Sequence, residues 1–534
     1  MDKLAYTEDH VLVKKLYLSD VPRHMTQEML TPYLEKFGKV LELKLFLIGK
    51  RINRRIQKMA ALVLFDNPYS ASKFLSLRFD FHATVSDSWN QPDAIIEFKS
   101  DQRAAIMKLN DDCLRIIIEM LSIKDRIRFA RSCTRFRAVY ELASPWLHAS
   151  LSCETLDMMT LWDIRDFFVL SGHHVQQISG TLKNNRKRAI KFLGRHCINL
   201  KSLDLTKTHL TFASIHNLLA NLHNLESLRL DGCSLMNTHL KALKHLTQLK
   251  ELDISHNFLA DIGIDALPAT IESLTLVSSC NFLGYSLPNI CQTLVHLKKL
   301  DIRGIENMIN TFHVLYTDVT CANLEELLFE DKKWFKEYEY VATLPALRRL
   351  TIEYNDGRSL NWSFLRQLVR HKSNQLEYLK VINSATIDVG ILAQIGQLYA
   401  LRSLHLINQS TIEDLGLAAL YSLKQLEELN LSSCLHITNR GVLRLLLNFP
   451  KLQQVYLECC TQLTDELPLS FVADGDNQPL KPIRLHLYGC NITLISLLDD
   501  KVASKKFLDI SMIPTIYSKP EPAAILFEQF DESI

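Results

Sequence analysis

The chain has 534 residues, with 61 Lys and Arg against 59 Asp and Glu, a formal charge of +2. That near balance excludes a globally polybasic nucleic-acid coat and an acidic disordered chain, and only 16 Gly and 15 Pro exclude collagen-like and low-complexity classes. Leucine stands at 92 residues, an excess that needs a cause. No stretch of 18 consecutive apolar residues is present, so no membrane span and no membrane partner are expected. The first ten residues hold no apolar core of a secretory signal, so the 12 cysteines are expected to be reduced thiols and the location cytoplasmic and/or nuclear.

Residues 11–100 alternate in strand and helix patterns. Val11–Leu18 reads as a strand, Thr26–Phe37 as a helix and Leu41–Ile48 as a strand. A basic loop, Lys50–Lys58, follows. Ala60–Phe65 reads as a strand, Pro68–Leu77 as a helix and Ile95–Phe98 as a last strand. That order, with Leu16-Tyr-Leu-Ser-Asp-Val-Pro and Tyr33-Leu-Glu-Lys-Phe-Gly-Lys-Val, resembles an RNA-recognition motif, a small α+β ferredoxin-like fold. The resemblance implies base stacking on aromatics of two central strands. Tyr17 keeps one such ring, while Ala60 and Leu62 stand where two others are expected. Each stacked base contributes about 1–3 kcal/mol, so RNA binding is expected to be weak. Tyr17, Lys50, Arg51, Arg54, Arg55 and Lys58 are its candidate residues, and protein contact is the competing use.

Residues 105–150 contain two amphipathic runs. Leu114, Ile117, Ile118 and Leu121 share helical spacing after the cap-forming Asn110 to Asp112, and Ile127, Phe129, Ala130, Cys133 and Phe136 form the second. The segment resembles an F-box. Leu109, Asp112, Leu114, Ile117, Ile118, Leu121, Asp125, Cys133 and Phe136 match the family pattern. Asn110 replaces its Pro, Asp112 its Glu, Phe136 its Trp and Arg126 a Leu. The resemblance implies docking of a Skp-type adaptor, and through it a cullin, by Leu109, Asn110, Leu114, Ile117, Ile118, Leu121, Cys133 and Phe136.

From residue 200 onward the leucines become periodic. The pattern L-x-x-L-x-L, with Ile, Val or Phe allowed, begins at Leu200, Leu225, Leu249, Ile271, Leu297, Leu324, Leu347, Leu376, Leu401, Leu426 and Leu452, at intervals of 22–29 residues. This is the signature of an α/β leucine-rich-repeat solenoid, expected over 160–511, with caps at Val175 to Ile178 and at Leu485 to Ile510, and a tail at 512–534. Three residues past each triplet stand Thr208, Cys233, Asn257, Ser279, Asn355, Gln409, Cys434, Cys460 and Cys490. They are expected to point inward and bond turn backbone groups. Cys434-Leu-His-Ile-Thr-Asn-Arg-Gly and Cys460-Thr-Gln-Leu-Thr-Asp resemble the cysteine-containing repeat subtype. Residues flanking the inner apolar pair face the concave side. Early repeats give Asp204, Arg229, Asp253, Thr275 and Asp301, a polar, solvated set. Late repeats give Tyr378, Lys380, His405, Tyr456, Glu458, His486 and Tyr488, a set rich in contact-prone aromatics.

No phosphate-binding loop, dinucleotide fingerprint, zinc-protease motif, nucleophile elbow or paired C-x-x-C is present. The adjacent pairs His173-His174 and Cys459-Cys460 are poorly placed to share one metal. No catalytic residue, metal, cofactor or small-molecule substrate is therefore expected. An F-box segment before cysteine-containing repeats resembles the F-box/leucine-rich-repeat architecture, which implies a non-catalytic subunit of a cullin-based ubiquitin ligase that binds a target protein for ubiquitination. The alternative is an RNA-binding or messenger-RNA export adaptor. Export factors also place an RNA-recognition fold before leucine-rich repeats, but carry fewer repeats and further domains after them.

Overall fold

The computed structural model describes residues 4–7, 11–22, 24–48, 58–77, 81–86, 91–92, 105–182, 189–259, 266–279, 292–305, 322–331, 338–355, 357–473, 482–493 and 508–516. The chain divides into two compact units, Met1–Leu225 and Glu226–Ile534.

The first unit opens with β1 (Lys15–Val21), α1 (Gln27–Glu35), β2 (Val40–Ile48), β3 (Lys58–Phe65), α2 (Pro68–Leu75) and β4 (His82–Val85). The strands form an antiparallel sheet in the order β2-β3-β1-β4. Alternation decides which face is buried: Leu16, Leu18, Val63 and Phe65 pack with Leu30, Leu34 and Phe74 of the helices. Asn67 caps α2 by accepting from the Tyr69 N–H at 2.9 Å, with Pro68 set for the first turn. The fourth strand corrects the sequence expectation. It is His82–Val85, paired to β1, whereas Ile95–Phe98 lies outside the described residues. A four-residue edge strand with three small or polar residues carries too weak an apolar signal to stand out. Gln91 closes this edge. Its Oε1 accepts from the Lys14 and Lys15 N–H groups at 2.9 and 2.8 Å, and its Nε2 donates to the Lys15 and Ser86 carbonyls at 2.8 and 3.0 Å.

Three helices follow, α3 (Asp111–Met120), α4 (Ile123–Ser132) and α5 (Thr134–Leu147). Then come β5 (Ser150–Ser152), α6 (Cys153–Asp157), α7 (Leu161–Ser171), β6 (Gln177–Ser179), α8 (Ala189–His196), β7 (Ser202–Asp204) and α9 (Phe212–Leu219). The parallel strands thus begin at Ser150, ahead of the expected cap at Val175, because β5 carries only one apolar residue, Leu151, to mark it. The α5 helix is tied to α7 through a buried cluster: the Tyr140 hydroxyl lies 2.6 Å from Ser171 Oγ and 3.1 Å from His148 Nε2.

The second unit is a ladder of parallel strands: β8 (Ser227–Arg229), β9 (Glu251–Asp253), β10 (Ser273–Thr275), β11 (Lys299–Asp301), β12 (Glu326–Asp331), β13 (Arg349–Tyr354), β14 (Tyr378–Ile382), β15 (Ser403–Ile407), β16 (Glu428–Asn430), β17 (Gln454–Tyr456), β18 (Ile483–His486) and β19 (Leu508–Ser511). The middle residues of successive triplets stack in register: Leu252, Leu274, Leu300, Leu327, Leu350, Leu379, Leu404, Leu429, Val455 and Leu485. All are buried. Helices such as Trp362–Lys372 and Asn439–Asn448 return the chain behind the ladder, each burying one leucine-rich face. This is the leucine-rich-repeat arrangement.

The turn after nine of these strands repeats one device. Gly232, His256, Ser278, Gly304, Asn383, Asn408, Ser433, Cys459 and Gly489 all take positive φ, between 48° and 75°. The Ser433 and Cys459 N–H groups, for example, donate to the Glu458 and Tyr488 carbonyls of the next repeat at 2.8 Å. The following residue turns inward. Asn257 Nδ2 donates to the carbonyls of Leu230, Ile254 and Ser255 at 2.8–2.9 Å, and its Oδ1 accepts from the Leu235 N–H at 2.9 Å. Gln409 donates to Val381 and Ile407. Thr208 accepts from Leu182. Cys434, Cys460 and Cys490 donate to Leu406, Leu431 and Leu457 at 3.3, 3.2 and 3.0 Å. Asn355 departs from the series: it is exposed and bonds the Glu330 carboxylate at 2.9 Å.

Two outcomes follow. Asn257→Ala strands several buried backbone groups and should lower unfolding free energy by about 3 kcal/mol, whereas the exposed Asn355→Ala should cost under about 0.5 kcal/mol; urea unfolding of the two variants measures this, and equal losses would contradict it. Burial pushes His148 down from 6.5 to about 4, so the folded chain keeps the ring neutral where the unfolded chain binds a proton. Its contribution is full above pH 6.5 and falls with pH toward 4, by about 1.4 kcal/mol per unit. His148→Gln should flatten the dependence of the urea midpoint between pH 7 and 5, and an unchanged slope would refute the assignment.

Candidate functional site

The helical segment 105–147 of the first unit is held at its helix ends by side-chain caps and clamps. Asn110 caps α3 by accepting from the Cys113 N–H at 2.9 Å, and Asp111 and Asp112 lie in its first turn, where the helix dipole favours them. Arg126 explains its place in a position where leucine is expected: Nε donates to the Ile118 carbonyl and Nη2 to the Glu119 carbonyl, both at 2.8 Å. It thereby caps the carboxyl end of α3. Arg135 clamps the entry to α3, donating to the Met107 and Leu109 carbonyls at 2.9 and 2.7 Å and to Asp111. Cys133 caps α5, its Sγ accepting from the Phe136 N–H at 3.5 Å. Phe129 and Phe136 stack at 4.1 Å.

The expected adaptor residues therefore separate. Leu114, Ile118 and Phe136 are buried among the helices, where they hold the fold together. Asn110 and Cys133 act as caps. Leu109, Ile117 and Leu121 keep partial exposure. What the spacing analysis missed is the other side of α3. Ile116 is 51% exposed and Met120 83%, and Cys113 is exposed. With Ile117 they occupy about 100° of the helix circumference at 3.6 residues per turn, and Leu109 precedes them in the chain. The run Ile116-Ile117-Ile118 thus serves two faces, which a single apolar period conceals.

In the second unit the expected concave residues form a continuous band. The Arg349 guanidinium sits 4.2 Å from the Tyr378 ring centre. Tyr378 is 5.1 Å from the His405 ring, His405 is 6.5 Å from Tyr456, and Tyr456 stacks on His486 at 4.3 Å with planes 10° apart. Burial pushes the Tyr378 hydroxyl up to about 12. A hydrogen bond with His405 holds the Glu428 carboxyl below its usual range, with Ser403 and Arg349 adding to it; Ser403 Oγ donates to Glu428 at 2.9 Å. His405 and Glu458 are buried, Tyr378, Lys380, Tyr456 and His486 are half-buried, and Tyr488 is exposed. Asp301 is also buried, held by Arg303 at 2.9–3.0 Å, and so leaves the solvated set expected of the early repeats.

The open sheet face of the N-terminal domain carries Tyr17 opposite Leu62. Phe46, which sequence analysis did not single out, pairs with Ala60 across β2 and β3. Its ring lies 6.2 Å from Tyr17. Glu42 is paired with both Lys15 and Lys44, which neutralises part of this face. Lys50, Arg51, Arg54 and Arg55 lie outside the described residues, and Lys58 is placed by its backbone at the start of β3. Among the described residues, no three His, Cys, Asp or Glu side chains gather as metal ligands.

A family model described as the F-box domain matches residues 106–139. Human F-box/LRR-repeat protein 12 is 25% identical over 220 residues, covering 38% of this chain and 64% of that protein, and the mouse protein is 24% identical over the same length. The chain thus spans under two thirds of these relatives. A Caenorhabditis elegans protein provisionally named as RNA-binding is 25% identical over 387 residues, covering 69% of this chain and 48% of that protein. Among solved structures, the yeast complex of Rad7 and Elc1 is similar at a TM-score of 0.42 and 14% identity, covering 71% of this chain and 94% of that one. A Listeria monocytogenes internalin is similar at 0.35 and 20%, covering 65% and 88%. The chain carries an F-box domain and is homologous to F-box/LRR-repeat protein.

Proposed function

We propose that this chain is the substrate-recognition subunit of a cullin-based ubiquitin ligase, working in the cytoplasm, the nucleus or both. One observation carries the reading: α3, inside the matched F-box, buries one apolar face and presents a second, Cys113, Ile116, Ile117 and Met120, to solvent. Isolated apolar side chains on a surface are ordinary, but a stripe along one helix is the form of a helix-packing interface. A Skp-type adaptor is the occupant that the F-box implies, and a cullin joins through it. The concave band from Tyr378 to Tyr488 is the surface for the target protein, with Tyr456 and His486 stacked toward its C-terminal end. The chain supplies proximity, raising the effective concentration of the target near a charged ubiquitin carrier, and needs no reacting group of its own.

A second reading, RNA binding through an RNA-recognition-like N-terminal domain, is favoured by the neighbouring rings of Tyr17 and Phe46 and by the strand order β2-β3-β1-β4. Two rings beside a paired Glu42 give weak binding without sequence preference. Sub-micromolar affinity for one short RNA, lost in Tyr17→Ala with Phe46→Ala, would put RNA first.

The adaptor interface is tested by separating its two faces. Ile116→Asp with Met120→Asp should abolish co-purification of a Skp-type adaptor while leaving the urea midpoint near that of the unaltered chain. Ile118→Asp should unfold the helices by burying an unpaired charge, costing several kcal/mol. Bound adaptor should shield the Cys113 thiol from iodoacetamide. Retention of adaptor by the Ile116 and Met120 variant would sink the reading.

A further inference from the structure

The concave side of β16, β17 and β18 carries side chains that a solvent-facing surface does not require. Asn430, Ser432 and Glu458 are fully buried. Asn430 Oδ1 accepts from the Ser432 N–H at 2.9 Å, but among the described residues Asn430 Nδ2, Ser432 Oγ and both ring nitrogens of His486 are buried without a hydrogen-bonding partner. Buried polar groups are paired in the great majority of cases, and a cluster of exceptions points to a missing partner. The four side chains are neighbours, since Asn430, Tyr456 and His486 lie in register across three adjacent strands and Ser432 and Glu458 each stand two residues further along.

The chain itself shows what kind of partner fits. After β19 it turns back toward β17. The Thr515 N–H donates to Glu458 Oε1 at 2.9 Å and the Thr515 hydroxyl to Glu458 Oε2 at 2.8 Å. Ile513 and Ile516, on either side, are exposed, so Thr515 is not held in place by burial of the isoleucines beside it. A buried carboxylate needs donors, and here a threonine supplies two from one residue.

We propose that the surface over β16–β18 is a peptide-binding site and that residues 512–516 occupy one end of it in cis. Its ligand is an extended segment of a target protein. A threonine or serine gives its N–H and hydroxyl to Glu458, and neighbouring carbonyl or carboxylate oxygens accept from Asn430 Nδ2 and the His486 ring. Main-chain groups supply affinity and the hydroxyl supplies selectivity, as in other extended-peptide sites. Phosphorylation of that hydroxyl removes the donor and sets a phosphate against the Glu458 carboxylate, so the site selects the unmodified residue. The tethered segment competes at high effective concentration, and an incoming target must displace it. This rests on the reading of the concave face as the target surface.

The test uses the full-length chain and a fluorescent peptide of the sequence Ser511–Tyr517, with polarisation as readout and no adaptor present. Thr515→Pro removes both bonds to Glu458 and vacates the site, so this variant should bind the peptide at least tenfold more tightly than the unaltered chain. Adding Glu458→Gln should reverse the gain, and a phosphothreonine peptide should not bind. Equal binding by all three chains, or no binding by Thr515→Pro, overturns the proposal. Should Glu458→Gln fail to fold, Glu458→Asp keeps the charge but shortens the reach. Hydrogen exchange at the Thr515 amide should then quicken relative to the unaltered chain, and an unchanged rate overturns the site. Adaptor binding is measured separately, so failure of the peptide site leaves that result standing.

Discussion

The second unit depends on satisfying backbone groups that the repeat itself buries. A parallel strand of three to six residues ends in a turn whose N–H and C=O groups lie inside the stack, beyond the reach of water. Each such group left unpaired costs about 1–3 kcal/mol. The chain answers at two consecutive positions. One residue adopts the left-handed conformation and donates its N–H to the next repeat, and the following side chain folds under the turn and bonds the carbonyls left over. Non-glycine residues pay about 1–2 kcal/mol for that backbone, which the gained bonds offset. The concave surface is regular because this turn is regular.

The same device accounts for the adjacent cysteines. Cys459 is the left-handed turn residue and Cys460 the inward one. Burial pushes the Cys434 thiol up to about 12 and the Cys460 thiol well above its usual value, so both remain protonated hydrogen-bond donors and poor nucleophiles.

Much of the fold is legible in the sequence because leucine spacing is imposed by the stack itself. All eleven triplets fall on strands at the expected positions, since each strand must place two apolar residues in a shared core. The left-handed residues are harder to see. Gly, Asn, Ser, His and Cys all serve there, because the requirement is on the backbone and not on side-chain chemistry. The exposed side of α3 is harder to see for a related reason. Leu114 and Ile118 keep helical spacing because they are core, while Ile116 and Met120, on the outer face, break that pattern. Phe46 escaped notice because it sits on β2, outside the two strands where the resemblance places stacking rings, and pairs in register with Ala60. Thr515 was beyond any periodic argument. Its contact with Glu458 joins positions 57 residues apart.

We propose different work for different surfaces: an outer face of α3 for an adaptor, and a concave band for an extended target. The most direct measurement of this account is hydrogen exchange across the full-length chain with and without a Skp-type adaptor. The account predicts slowed exchange within residues 109–121 and adjoining parts of α4 and α5, with the repeats from 226 to 516 unchanged. Unaltered exchange at 109–121, or protection confined to the repeats, would contradict it.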